Sequence, residues 1–161
     1  FIGFHPLFVA NPLQRIAAAN YVEKHDADFA KIQIVKGLGY NGAVSAFPFT
    51  MPSIPDDSIA IAPYVEYSLP LAAGENRIEI RALPTQRIYD GRGVRYAVSV
   101  ANSEPEIVSI QSDEFTSEWQ RNVLRGYTSN YVGYKADKAG SYKVRIYILD
   151  AGVALQEILV R

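Results

Sequence analysis

Two histidines, seventeen acidic residues and no cysteine limit the chemistry open to this chain. His5 lies near the start, and His25 sits in Val22-Glu23-Lys24-His25-Asp26-Ala27-Asp28-Phe29. A serine triad needs a histidine base oriented by a carboxylate, and no serine here occupies a Gly-x-Ser-x-Gly elbow. Both facts disfavour a triad. Without cysteine there is neither a thiol nucleophile nor a disulfide framework. Zinc wants three or four His, Cys or carboxylate ligands, which two scattered histidines do not supply. Calcium takes about six to eight oxygens. Glu23, Asp26 and Asp28 cluster at a strand end, so a structural calcium is a candidate beside the plainer reading of a solvated acidic turn.

Glycosidases place two carboxylates across a cleft. Most acidic residues here fall in turns, such as Asp56-Asp57 and Asp90, or on expected wet strand faces, such as Glu79. The stretch Lys36-Gly37-Leu38-Gly39-Tyr40-Asn41-Gly42 lacks the Gly-Lys-Ser/Thr ending of a phosphate loop and reads as a turn. Eleven tyrosines remain. A tyrosine face can stack on a sugar while its hydroxyl stays wet. Strand parity sends Tyr67, Tyr96 and Tyr142 inward and Tyr147 outward, and Tyr40, Tyr89, Tyr127 and Tyr134 fall in loops or at strand ends. The outward and loop group, with Trp119, are the candidates for a carbohydrate or interdomain contact.

The elements that position these residues are strands. Ile78, Ile80 and Ala82 alternate with Arg77, Glu79 and Arg81; Val94, Tyr96, Val98 and Val100 form a second such row, Tyr142, Val144, Ile146 and Ile148 a third, and Val65, Tyr67, Leu69 and Leu71 a fourth. Period two means one face on a core and one in water. Weaker strands are expected over 21–23, 31–35, 43–47, 106–110, 127–134 and 153–160. Turn residues at 73–76, 90–93 and 138–140 separate them. This predicts an all-β antiparallel sandwich, jelly-roll-like, with no second core. Phe115, Trp119 and Val123 recur every four residues and predict one short helix laying Trp119 on the sandwich, capped by Ser112 or Asp113. Asn11-Pro12 reads as a helix start, making residues 1–19 a connector from a preceding domain and 20–161 the sandwich. At 161 residues, roughly 68–70% of the unfolded surface can be buried, enough for a core without staples. A net charge of -1 points away from nucleic acid, and no apolar run is long enough to span a membrane as a helix. The opening Phe1-Ile2-Gly3-Phe4-His5 carries no initiator methionine and reads as a cut through a longer polypeptide, with a processed mature start as the alternative.

Tyr21-Val22-Glu23 with Asp28-Phe29, Gly37-Leu38-Gly39 followed by Gly42 to Pro48, Gly93 to Ser99, Trp119 to Leu124, and the closing Leu149-Asp150-Ala151-Gly152-Val153-Ala154-Leu155-Gln156-Glu157-Ile158 occur in an order and spacing that resemble the C-terminal β-sandwich of glycoside hydrolase family 115, the xylan α-glucuronidases. The resemblance spans residues 20–161, and Ala151 stands where the family more often has proline. It implies a secreted or periplasmic parent that removes 4-O-methylglucuronic or glucuronic acid from xylan, with its catalytic site in other domains. This chain would then be a non-catalytic accessory that packs on the preceding catalytic domains and can serve a homodimer contact. A similar pattern in jelly-roll carbohydrate-binding modules holds calcium, and on that analogy Glu23, Asp28 and Asp150 are the candidate ligands. The same analogy makes a sugar-binding module, with xylan as partner, the alternative function. Packing predicts an exposed apolar patch, which we expect near Phe1 to Val9.

Overall fold

The computed structural model describes residues 14–39, 41–88, 92–112 and 115–161. His5, Tyr40, Tyr89, Asp90, Asp113, the Asn11-Pro12 signal and the Phe1 to Val9 stretch lie outside the described residues.

Among these residues, eleven strands form two antiparallel sheets. They are β1 (Gln14–Ala17), β2 (Glu23–His25), β3 (Lys31–Val35), β4 (Ala43–Phe47), β5 (Tyr64–Leu71), β6 (Gly74–Ala82), β7 (Arg95–Val100), β8 (Glu106–Ser109), β9 (Thr128–Ala136), β10 (Gly140–Ile148) and β11 (Leu155–Val160). The six-stranded sheet runs β3-β4-β11-β6-β9 with β1 added on β11, and the five-stranded sheet runs β2-β5-β10-β7-β8. The expected jelly-roll-like sandwich is what the chain forms.

The alternating rows meet between the sheets. Ile78, Ile80, Leu155, Ile158 and Val160 of the six-stranded sheet face Val65, Tyr67, Leu69, Val98, Val144 and Ile146 of the other, all within 2% of complete burial. Each such side chain contributes about 1.5–3 kcal/mol relative to exposure, so this layer is the dominant stabilising term. Tyr67 tolerates full burial because its hydroxyl donates to the Ala18 carbonyl at 2.7 Å. Gly39, at φ 67, adopts a backbone that side chains disfavour and sits where a Cβ would meet Gln156 Cγ at 3.0 Å, which keeps the 36–39 turn tight against β11.

Four expectations are corrected. Residues 14–17, read as part of a helical connector, are a strand: β1 pairs with β11 from Gln14–Val160 to Ala17–Glu157, so the strands of the sandwich begin ahead of residue 20. The reason is an edge, since β4 meets β11 only at Leu155 and the remaining backbone groups need partners. The first strand of the five-stranded sheet is Glu23–His25 rather than 21–23, because Tyr21 turns toward the core and Val22 N–H already bonds the Glu66 carbonyl. A second apolar cluster exists: Ile54, Ala62, Ala97, Tyr147 and Leu149 pack on the outer face of the five-stranded sheet, beneath a 3-10 segment, Asp56–Ile61. Ile54 N–H to Leu149 O and Ile148 N–H to Pro63 O, both 2.9 Å, pin that cover. Finally, helix α1 (Ser117–Arg125) is capped by Thr116, whose hydroxyl accepts from Trp119 N–H at 3.2 Å, because Thr116 stands three residues ahead of that amide. Left-handed Gly126 closes it.

Candidate functional site

Four acidic side chains are buried among the described residues: Glu66, Glu79, Asp150 and Glu157. Each is held by at least one arginine.

On the outer face of the six-stranded sheet, Glu79 and Arg81 on β6 lie beside Ser129 on β9 and Glu157 on β11. Arg81 Nε donates to Glu79 Oε2 at 2.6 Å and its second arm reaches Glu157 Oε1 at 3.0 Å. Arg161 Nε donates to the other Glu79 oxygen at 2.7 Å, Ser129 Oγ adds a bond at 2.8 Å, and Arg15 takes both oxygens of Glu157. Glu79, expected on a wet face, is 1% exposed. Burial alone raises its pKa, yet the bonds from Arg81, Arg161 and Ser129 overcome this and bring it down to about 2. A carboxylate held ionised this firmly is no general acid at neutral pH.

Asp150 lies just beyond the end of β10 and takes Arg95 N–H at 3.0 Å, Arg95 Nε at 2.8 Å and the Ser53 hydroxyl. Arg95 also reaches Asp56 and the Ile54 carbonyl, so this cluster ties the 3-10 cover to the sheet. Asp150 favours the charged form of Arg95, whose pKa rises. For the calcium expectation the donor set matters: Asp150 faces a guanidinium, whereas Glu23 and Asp28 are exposed on β2 and the following turn. Asp26, the third acid of that segment, accepts Ile32 N–H at 2.8 Å and contacts Lys24 at 3.4 Å. Its pKa falls, since these contacts and Lys31 outweigh the opposing effect of burial. Among the described residues, no three His, Asp or Glu side chains gather as a metal group.

The outer face of the five-stranded sheet carries the remaining chemistry. Cross-strand register sets Glu23, Glu66, Arg145 and Ser99 on one rung and His25, Tyr64, Tyr147 and Ala97 on the next. Arg145 gives Nε (2.8 Å) and a second nitrogen to Glu66 Oε1, and a third at 3.2 Å to the Tyr147 hydroxyl. Its charge lies 4.0 Å over the Tyr64 ring, and Tyr64 stacks on His25 at 5.0 Å and meets Tyr147 edge-on at 5.4 Å. Desolvation opposes the Arg145 charge, but Tyr147 and Glu66 raise its pKa. Beside this pair lies an open polar pocket of about 170 Å³, walled by Lys143, Arg145 and Tyr147 of β10, Ser99 of β7 and the 102–105 loop.

The expected contact aromatics scatter. Tyr147 points to the outer face as parity requires but is 9% exposed under the second cluster. Tyr134 is not in a loop; it lies in β9 and packs inward, edge-on to Tyr142 at 5.6 Å. Tyr127 is clasped between Arg81 at 4.2 Å and Arg125 at 4.8 Å. Trp119 is half-buried and touches Phe115 at 5.1 Å. Helix α1 buries only Asn122, leaving Val123 47% and Leu124 87% exposed, and Phe115, just ahead of its N-cap, is 76% exposed. The helix therefore shows much of its apolar side to solvent instead of to the sandwich. A separate apolar groove of about 450 Å³ runs between Val35, Leu38, Phe47, Phe49, Leu83 and Ile88. Sequence reading missed the Glu66–Arg145–Lys143 group, whose only signal is that each residue holds an outward position in a strand; their meeting depends on register.

No curated protein sequence matches this chain. Among solved structures, it is similar to a family GH115 4-O-methyl-α-glucuronidase, BtGH115A, with specificity for decorated arabinogalactans (TM-score 0.65, 24% identity), covering 88% of this chain and 18% of that one. It is also similar to the C-terminal CBM6 of LamC, a marine laminarinase from Zobellia galactanivorans (TM-score 0.56, 14% identity, 91% and 97% covered). A family 35 carbohydrate-binding module from Clostridium thermocellum matches likewise (TM-score 0.56, 12% identity, 92% and 98% covered). At these identities the likeness is one of fold. Over residues 15–161 the sequence matches the model of the glycosyl hydrolase family 115 C-terminal domain, and it is to this family that the chain belongs.

Proposed function

We propose that this chain is the non-catalytic terminal domain of a longer glycoside hydrolase that removes α-linked glucuronic or 4-O-methylglucuronic acid side chains from xylan or a related polysaccharide, and that it packs on the rest of that polypeptide through α1. The reading rests on family membership together with the apolar residues that α1 and the segment leading into it leave in solvent. Leu124 is 87% exposed and Phe115 76%. Exposed apolar clusters on small domains mark contact surfaces. The chain spans 18% of the length of the glucuronidase it resembles, so such a parent would have ample surface to cover the helix. The four buried carboxylates support the absence of acid–base chemistry here, since each is committed to arginine.

The test is made on the longer polypeptide. Removing this domain, or introducing Leu124→Asp, is expected to lower the melting temperature of the remainder and to reduce turnover of glucuronoxylan. A remainder with unchanged melting temperature and turnover overturns the packing role. The second reading, carbohydrate binding, is favoured by the fold likeness to two carbohydrate-binding modules and by the polar pocket on the five-stranded sheet.

A further inference from the structure

We infer that the pocket beside the Glu66–Arg145 pair binds the carboxylate of a single sugar acid, with Lys143 as its charge partner and Asn102 as a neutral donor. This deepens the carbohydrate-binding reading above by naming the sugar class and the residues.

The charge comes first. Lys143 and Arg145 stand over one buried carboxylate, Glu66, whose register partner on β2, Glu23, is the next acid along the rung. Arg145 is committed to Glu66, whereas Lys143 Nζ lies 4.0 Å from Glu66 Oε2, beyond hydrogen-bond distance, with 54% of its side chain exposed. That ammonium is free to turn to a ligand. A single unengaged ammonium suits a monoanion, and Glu66 beneath it with Glu23 beyond disfavours a dianion such as phosphate.

The neutral groups come second. Among the described residues no hydrogen bond engages the Asn102 side chain, which lines the pocket. The Tyr147 hydroxyl accepts from Arg145 and keeps its own proton to give. Ser99 donates to the Ser103 carbonyl at 2.6 Å and keeps its lone pairs for a sugar hydroxyl. Pro105 supplies the apolar part of the wall. Such a lining suits a polyhydroxylated acid better than an apolar one.

Backbone strain comes third. Ala101 at φ 51 and Asn102 at φ 61 both occupy the left-handed region, unfavourable for alanine. Ser103 N–H to Val100 O (2.9 Å), Val100 N–H to Ser103 Oγ (3.1 Å) and Ala101 N–H to Lys143 O (2.8 Å) hold that turn against β10. The turn sets Asn102 across the pocket from Lys143's strand, and strained turns held this way are common at ligand sites. At about 170 Å³ the pocket is smaller than the roughly 300 Å³ of sites for drug-sized ligands, which fits one sugar ring or a chain-end residue rather than an extended oligosaccharide.

The experiment is calorimetric titration of this chain with sodium glucuronate, glucose and inorganic phosphate. Glucuronate is expected to bind, with glucose and phosphate each at least about tenfold weaker, as loss of one charge-assisted bond implies. Lys143→Met is expected to weaken glucuronate about tenfold, and Asn102→Asp, which keeps the turn but places a negative charge at the mouth, to abolish binding. Both sites are solvent-facing, so unchanged melting temperatures check the fold. No heat with glucuronate, equal binding of glucose, tighter binding of phosphate, or an unchanged constant in Lys143→Met each overturns the inference. Its failure leaves the α1 experiment untouched, because that experiment reads the stability and turnover of the longer polypeptide.

Discussion

On the outer face of the six-stranded sheet, Glu79 and Glu157 share three arginines, and Arg81 bridges the two carboxylates. On the outer face of the five-stranded sheet, Glu66 has, among the described residues, Arg145 alone within hydrogen-bond distance, and Lys143 stands back at 4.0 Å. Both faces carry arginine opposite carboxylate at outward strand positions. The first is closed on itself and redundant; the second leans on one arginine and leaves one cation for something else. A buried charge that loses its only partner is far more destabilising than one that loses a partner among several.

The largest effect should come from breaking the lone pair. Arg145→Ala strands Glu66 in a buried position and removes the contact with Tyr64, and is expected to destabilise the chain by about 3–5 kcal/mol, lowering Tm by about 10 °C. Urea unfolding at pH 7 reads this directly, and a loss below about 1 kcal/mol breaks the comparison. Next in size is the acid response of the other face. Glu79 has a folded-state pKa of about 2 against an ordinary value of 4.5. A depressed carboxylate contributes its stability in full above the unfolded value, so the contribution is present above pH 4.5 and disappears as pH falls toward 2. The difference corresponds to about 3 kcal/mol. Urea midpoints from pH 6 to pH 2 should decline through that window, and Glu79→Gln should flatten part of the decline; a parallel profile in the variant removes Glu79 as the cause. The smallest effect is expected for Arg81→Met. Arg161 and Ser129 still hold Glu79, and Arg15 still holds Glu157, so the loss should be about 1–2 kcal/mol. A loss as large as that of Arg145→Ala would show that redundancy counts for nothing here.

The strong strands were legible because their inward rows are apolar without interruption, as in Ile78-Ile80-Ala82 and Val144-Ile146-Ile148. The outward rows were not. Glu79 and Tyr147 look like water-facing residues in a one-dimensional reading, yet both are buried, Glu79 within its arginine and serine partners and Tyr147 beneath the 3-10 cover. Nor could the direction of α1 be read. Four-residue spacing predicts one apolar stripe but does not say whether that stripe meets the same domain or another surface, and here Phe115, Val123 and Leu124 face solvent. The carboxylates suffered most, since Asp150 was a metal candidate by analogy and is an arginine partner in the fold.

By itself, then, the sequence determined the two-sheet architecture, the inward side of the major strands, the existence of the short helix and the family, because alternation and motif order are local properties that survive without a partner. Tertiary structure alone decided which outward charges pair, which aromatics are covered and where a polar pocket opens. Those outcomes depend on which rung of one strand lies beside which rung of the next, and on what loop folds over them, and no single strand carries that information.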